Sequence, residues 1–167
     1  MRIAFIDFIE LDNIVRAGIL LTDENTKPIE FRTTTNIEID QLQRILYGDA
    51  LKEVLYKERF AVDLVKSLKE DFDIVLSKEK NILSIRKEIN KPVGYLQKYD
   101  PFKAIDKYSH RIVNLADRFE PLLFTISKED EKSLLVFSKK LQEVYKNFNL
   151  LEPFERIKKA LKYLSQS

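Results

Sequence analysis

Glu58 is the residue whose type and spacing most call for a chemical explanation. In the stretch YGDALKEVLYKERFAVDLVKSL, residues 47–68, a helical turn of about 100° per residue puts Leu51, Val54, Leu55, Ala61, Val62, Val65 and Leu68 on one face, with Glu58 close to its centre. A carboxylate among apolar side chains needs a partner, because desolvating it alone is costly. Either a cation supplies that partner, with Arg16 and Arg59 as candidates, or Glu58 is a working acid that meets another functional group.

What the chain lacks bounds the rest of the chemistry. Without cysteine there are no disulfides, thiolate nucleophiles or zinc–thiolate centres. The single histidine, His110, excludes a histidine-based metal cage and any serine triad in which it does not itself serve as base; it reads as a surface or helix-face residue. Only three glycines are present and none forms a phosphate-cradling loop, so Gly48 reads as a helix stop set by backbone needs. In EFRTTT, Glu30, Arg32 and Thr34 share one strand face, which could offer a guanidinium and hydroxyl groups to phosphate. Lys158, Lys159 and Lys162 read as the solvated end of the last helix. Despite 7 tyrosines and 11 phenylalanines, no interleaved basic and aromatic platform stands out along the chain.

Composition fits one well-buried core: 167 residues, 44% of them hydrophobic. A formal charge of +2, from 29 basic and 27 acidic side chains, gives no overall field toward nucleic acid or membrane. Nucleic acid therefore stays a possible partner that net charge does not indicate. The opening apolar run carries Asp7, Glu10 and Asp12 and no cleavage pattern, so no secretory leader is expected. No run approaches membrane-spanning length, and a cytoplasmic, bacterial protein with no membrane partner is the expectation.

The elements that must position these residues follow from hydrophobic period. RIAFIDFI (2–9) and IVRAGILLT (14–22), joined by ELDN, predict a hairpin; IEFRTTT (29–35) predicts a third strand after Pro28. A short helix over 39–46 and the long helix with candidate N-cap Asp49 come next, then a buried strand over FDIVLSK (72–78). EKNILSIRKEI predicts a helix with Ile82, Leu83, Ile85 and Ile89 inward, and KPVGYL restarts a strand after Pro92. Residues 101–167 read as mainly helical: a segment near 102–119, a strand LLFTI (122–126), a long helix from Ser127, and a last helix over LLEPFERIKKALKYL.

Strand, strand, strand, helix, strand, helix, strand over residues 2–96 resembles the ribonuclease H-like fold. The fold class expected is thus α/β, a mixed sheet of three antiparallel strands followed by parallel crossovers, with a core over 1–100 and a helical extension over 101–167 packed on it as one domain. In that superfamily an aspartate in the first strand, a glutamate on the first long helix and an aspartate ending the fourth strand hold two divalent metals for phosphodiester cleavage. Carried onto this chain, the resemblance implies Asp7 and Glu58 as catalytic and metal-binding residues, with Mg²⁺ or Mn²⁺ as cofactor. The fourth strand departs from the pattern, ending in Ser77 and Lys78; Glu79 supplies the third ligand only if that strand runs longer, and Asp106 or Asp117 are later candidates. The patterns EFRTTT, QLQRILYG and EPFERIKKAL also look similar to a family of uncharacterised bacterial proteins with no assigned activity.

Two functions follow as expectations. One is a non-catalytic ribonuclease H-like binding or assembly module whose metal position has lost a ligand. The other is a divalent-metal-dependent nuclease or phosphodiester-processing enzyme with an atypical carboxylate site. A homo-oligomer formed through the helical C-terminal part is compatible with either.

Overall fold

Alternation of buried and exposed side chains builds a long hairpin first, and everything else is laid against it. The computed structural model describes residues 1–12, 14–35, 37–38, 45–46 and 48–166. β1 (Ile3–Leu11) pairs antiparallel with β2 (Ile14–Thr22), which pairs with β3 (Pro28–Thr33) and, near its start, with the two-residue β4 (Ile37–Glu38). Of the short helix expected over 39–46, residues 39–44 lie outside the described residues. Gly48 has φ 78°, a region that glycine enters without strain, and helix α1 (Asp49–Ser67) starts directly after it.

On the other side of β1 the pairing is parallel, to β5 (Ile74–Ser77) and from there to β6 (Val93–Lys98). Between them runs a helix of the 3-10 type, Lys80–Glu88, with Ile82 and Ile85 buried. Spacing those two isoleucines by three residues suits a helix with three residues per turn.

The segment near 102–119 is not helical. It contains an irregular stretch and β7 (Ser109–Ile112), which pairs antiparallel with β8 (Leu122–Ile126); β8 in turn pairs with β6. The sheet order is therefore β3-β2-β1-β5-β6-β8-β7, with two of its strands drawn from the part of the chain expected to be mainly helical. A 3-10 segment, Lys128–Ser133, then leads into α2 (Leu134–Tyr145), and α3 (Glu152–Ser165) closes the chain with Pro153 in its first turn.

Each face of the sheet has its own apolar layer. Ile3, Phe5, Ile9, Leu76, Leu96 and Phe124 point toward α2 and α3, against Leu141, Tyr145, Phe154, Ile157 and Leu161. Ala4, Ile6, Phe8 and Val75 point the other way, toward Phe60, Ala61, Leu64 and Val65 of α1 and toward Ile82 and Ile85. Each such side chain contributes about 1.5–3 kcal/mol by leaving water, so the two layers hold the sheet from both sides. Gly94 marks the tightest crossing: a methyl group there would collide with the Phe124 ring and Leu76. Among the described residues the α-helices do not cover the whole sheet, and the α1 face of β6, β8 and β7 is overlain by the 3-10 helix and the stretch 99–108.

Candidate functional site

Two-residue alternation decides where Asp7 points. Its neighbours Ile6 and Phe8 belong to the α1 layer, so Asp7 joins Phe5 and Ile9 on the face covered by α3. The residue is 4% exposed. One carboxylate oxygen, Oδ1, accepts the Phe8 backbone N–H at 2.9 Å. The other, Oδ2, is buried with no hydrogen-bond partner among the described residues, and two ammonium groups stand 3.9 Å from it: Lys78, just past the end of β5, and Lys158, on α3.

These lysines are held by packing as well as by charge. Lys78 lies over the Phe154 ring at 5.6 Å, and Phe154 packs edge-on against Phe5 at 5.3 Å. Lys158 sits one turn beyond Phe154 and one residue beyond the buried Ile157, so it emerges at the border of the apolar stripe of α3. Burial pushes the Asp7 carboxyl above its ordinary value of 3.8. The Phe8 N–H, Lys158 and Lys78 pull the other way without cancelling it, while Glu79 adds to the rise.

Glu58 lies on the helix of the opposite face. It is half-buried, and the charges that act on Asp7 do not include it. Neither arginine proposed as its partner takes that part: Arg16 donates to the Thr34 carbonyl and Thr33, and Arg59 pairs with Asp63 at 3.6 Å. Beside Glu58 on α1, Lys57, with its side chain 13% exposed, reaches Glu79 at 2.7 Å and lies over the Phe8 ring at 5.5 Å. Glu79 is thus within electrostatic range of Asp7 but committed to Lys57.

The later candidates are turn-formers. Asp106 Oδ1 accepts from the Tyr108 N–H and the Ser109 hydroxyl, and Asp117 occupies a positive-φ position in the turn after Asn114. Arg32 is tied to Glu30 at 2.7 Å rather than offered to phosphate, and His110 is exposed on β7.

A pair of divalent metals requires several oxygen ligands around one point. Among the described residues no three carboxylate or imidazole groups converge in that way. At Asp7 the surrounding charge is already cationic, so the residues present there do not fit a Mg²⁺ or Mn²⁺ pair. What the arrangement can do is hold a buried anion and two partly exposed ammonium groups in fixed relation at the middle of β1, beside the carboxyl end of β5.

Lys78 was visible in the sequence as the residue in the wrong place for a metal ligand. Lys158 was not singled out: it was grouped with Lys159 and Lys162 as a solvated cluster. Its signal is its position four residues after Phe154 and three before Leu161, at the border of the stripe rather than opposite it.

No protein-family model matches the chain, and no curated protein matches it in sequence, so the likeness to an uncharacterised bacterial family gains no support. Solved structures do match. An endonuclease V of Ciona intestinalis, in complex with a 24mer DNA containing an inosine followed by a ribo-adenosine, has a TM-score of 0.58 at 9% identity, over 99% of this chain and 86% of that one. An endonuclease V from Bacillus subtilis scores 0.45 at 11% identity, over 82% and 70% of the two chains. The Argonaute of Marinitoga piezophila in complex with guide RNA scores 0.46 at 14% identity, over 95% of this chain and 29% of that one. At these identities the likeness is one of fold, and the Ciona structure carries it. Together with the sheet order, it gives the chain a ribonuclease H-like mixed α/β fold.

Proposed function

We propose that this protein is a ribonuclease H-like binding module that does not cleave phosphodiesters by two-metal chemistry. The observation that carries this reading is the pair of ammonium groups, Lys78 and Lys158, each 3.9 Å from the buried Oδ2 of Asp7. A divalent ion entering there would meet two positive charges and a single carboxylate, whereas metal sites of this class gather several. Polyanion binding agrees better with this chemistry: both lysines keep partly exposed side chains, 35% and 43%, that can turn outward to a phosphate.

The divalent-metal nuclease is the second reading, and the fold likeness to an endonuclease favours it over a non-catalytic module. It also has one local support, the electrostatic proximity of Glu79 to Asp7. For it to hold, Glu79 has to leave Lys57 and both lysines have to withdraw from Asp7.

Thermal melting in EDTA and in millimolar Mn²⁺ or Mg²⁺, followed by incubation with single-stranded, duplex and inosine-containing DNA, separates the two. The module reading expects the same melting temperature in all three solutions and intact oligonucleotides. Cleavage that needs Mn²⁺ and disappears in Asp7→Asn would replace it with the nuclease reading. No helix among the described residues is long and apolar enough to cross a membrane.

A further inference from the structure

The part of the sheet that no α-helix among the described residues covers, β6, β8 and β7 on the α1 side, forms two adjoining clefts of about 360 and 550 Å³. They share Lys80, Asp106 and Thr125 in their walls, so they read as one continuous groove. Its floor is the outward row of the strands, including Tyr95, Gln97, Leu123 and Thr125. Its rim is the 3-10 helix on one side and the stretch 99–108 on the other.

Two kinds of side chain recur along this groove. The first is tyrosine held beside a cation: the Arg111 guanidinium lies 4.9 Å from the Tyr99 ring centre, and Lys107 and Lys128 lie 5.1 and 5.9 Å from that of Tyr108. Tyr99 lines one cleft and Tyr108 the other, while Phe102, at the tip of the rim, is 96% exposed. The second is lysine without an acidic partner. Among the described residues Lys80, Lys87 and Lys103 make no ion pair, although all three line the groove. Three acids share the walls: Asp100 and Asp106 each accept a backbone N–H two residues on, at Phe102 and Tyr108, and Glu129 stands in the first turn of the 3-10 segment beside Lys128, so the cations still outnumber the acids.

We propose that this groove binds single-stranded nucleic acid, with bases stacking on Tyr99 and Tyr108 and the backbone tracking Lys80, Lys87 and Lys103. The argument is charge complementarity joined to aromatic faces. An acidic peptide would be served by the lysines but would leave the tyrosines without use, whereas an unpaired strand presents phosphates and flat bases together. The groove is on the face of the sheet opposite to Asp7, so the proposal goes beyond the reading of that site and stands whether or not metal-dependent cleavage is found there.

The test is fluorescence anisotropy of a labelled 15-nucleotide dT strand, its RNA counterpart and a matched duplex, on the full chain at about 50 mM salt. The chain has no tryptophan, so quenching of tyrosine emission on binding is a second readout of stacking. The single strands bind more tightly than the duplex, with log affinity falling against log salt with a slope of about −2 if three phosphates are neutralised. Tyr99→Ala and Tyr108→Ala each weaken binding by about tenfold, within the range for one stacked base, while Tyr99→Phe and Tyr108→Phe keep it. Lys80→Gln reduces the salt slope by about 0.7. Lys66→Glu, on the exposed side of α1, leaves affinity and slope unchanged. Circular dichroism of each variant confirms folding before binding is scored. No binding to either strand, equal competition by polyglutamate, or binding that survives both alanine changes but falls in Lys66→Glu would overturn the proposal.

Discussion

The two faces of the sheet treat lysine in opposite ways. On the α3 face, Lys78 and Lys158 are drawn to a buried aspartate and packed beside Phe154. On the other side, over β6, β8 and β7, Lys80, Lys87 and Lys103 have no acidic partner among the described residues and stand beside tyrosines. The same side chain is thus a counter-ion where a buried carboxylate stands beside it and a free charge where none does. What surrounds it, not residue type, separates a lysine that must leave a counter-ion to meet a ligand from one that need not.

Breaking the closed face gives the largest effect. Phe154→Ala removes a fully buried ring from the junction of Phe5 and Lys78 and costs about 4 kcal/mol, a fall of roughly 10 °C in melting temperature. Leu123→Ala on the open side, only half-buried, costs less than about 1 kcal/mol in the same denaturation experiment. Equal losses would mean that the open side is covered in solution.

A smaller loss comes from the tie that holds the groove's rim. Arg86 grips Asp130 with Nε at 2.8 Å and Nη2 at 3.4 Å and donates to the Ile89 carbonyl, while Ser127 donates to the same aspartate at 2.6 Å. Either Arg86→Ala or Asp130→Ala leaves the opposite charge half-buried and costs about 3 kcal/mol by urea titration. The double variant loses less than the sum of the two singles.

At Asp7 the expected change has the opposite sign. The folded-state pKa is raised by burial, so between the ordinary value of 3.8 and that raised value the folded protein binds more of the proton than the unfolded chain does. This group's contribution to stability therefore falls as pH rises through that window and stays low above it. Asp7→Asn keeps an acceptor for the Phe8 N–H, gains about 1 kcal/mol near neutral pH and removes that segment of the pH profile. A large loss instead would show that the lysines outweigh desolvation. Smallest of all, Lys103→Ala shifts stability by less than about 0.5 kcal/mol while still weakening oligonucleotide binding.

Hydrophobic period made most of the first hundred residues legible, because β1, β2, β3, β5 and β6 each carry enough alternation or apolar length to declare themselves, whereas the two-residue β4 is too short to do so. It failed at 102–119. There Phe102, Ile105, Tyr108 and Val113 are spaced as on a helix, yet Asp100 and Asp106 cap turns on their own backbone and β7 is only four residues long. A strand that short is fixed by its partner β8, and pairing across a dozen residues leaves no local mark. The groove was illegible for the same reason: its lysines and tyrosines come from residues 80–128, and only the sheet brings them side by side. Asp7 was read as a candidate at once, but its neighbour Lys158 lies 151 positions away and reaches it only through the packing of α3.

The outermost strands have one more consequence. β3 begins with Pro28, which has no N–H to offer, and carries the charged pair Glu30 and Arg32; β7, at the far end, is four residues long and carries His110 and Arg111 exposed. Short length, proline and outward charge are devices that stop a sheet from recruiting a strand of another molecule. Fibrous or edge-to-edge aggregation is thereby disfavoured at both ends, so the long apolar hairpin at the centre stays hidden from its copies even in concentrated solution.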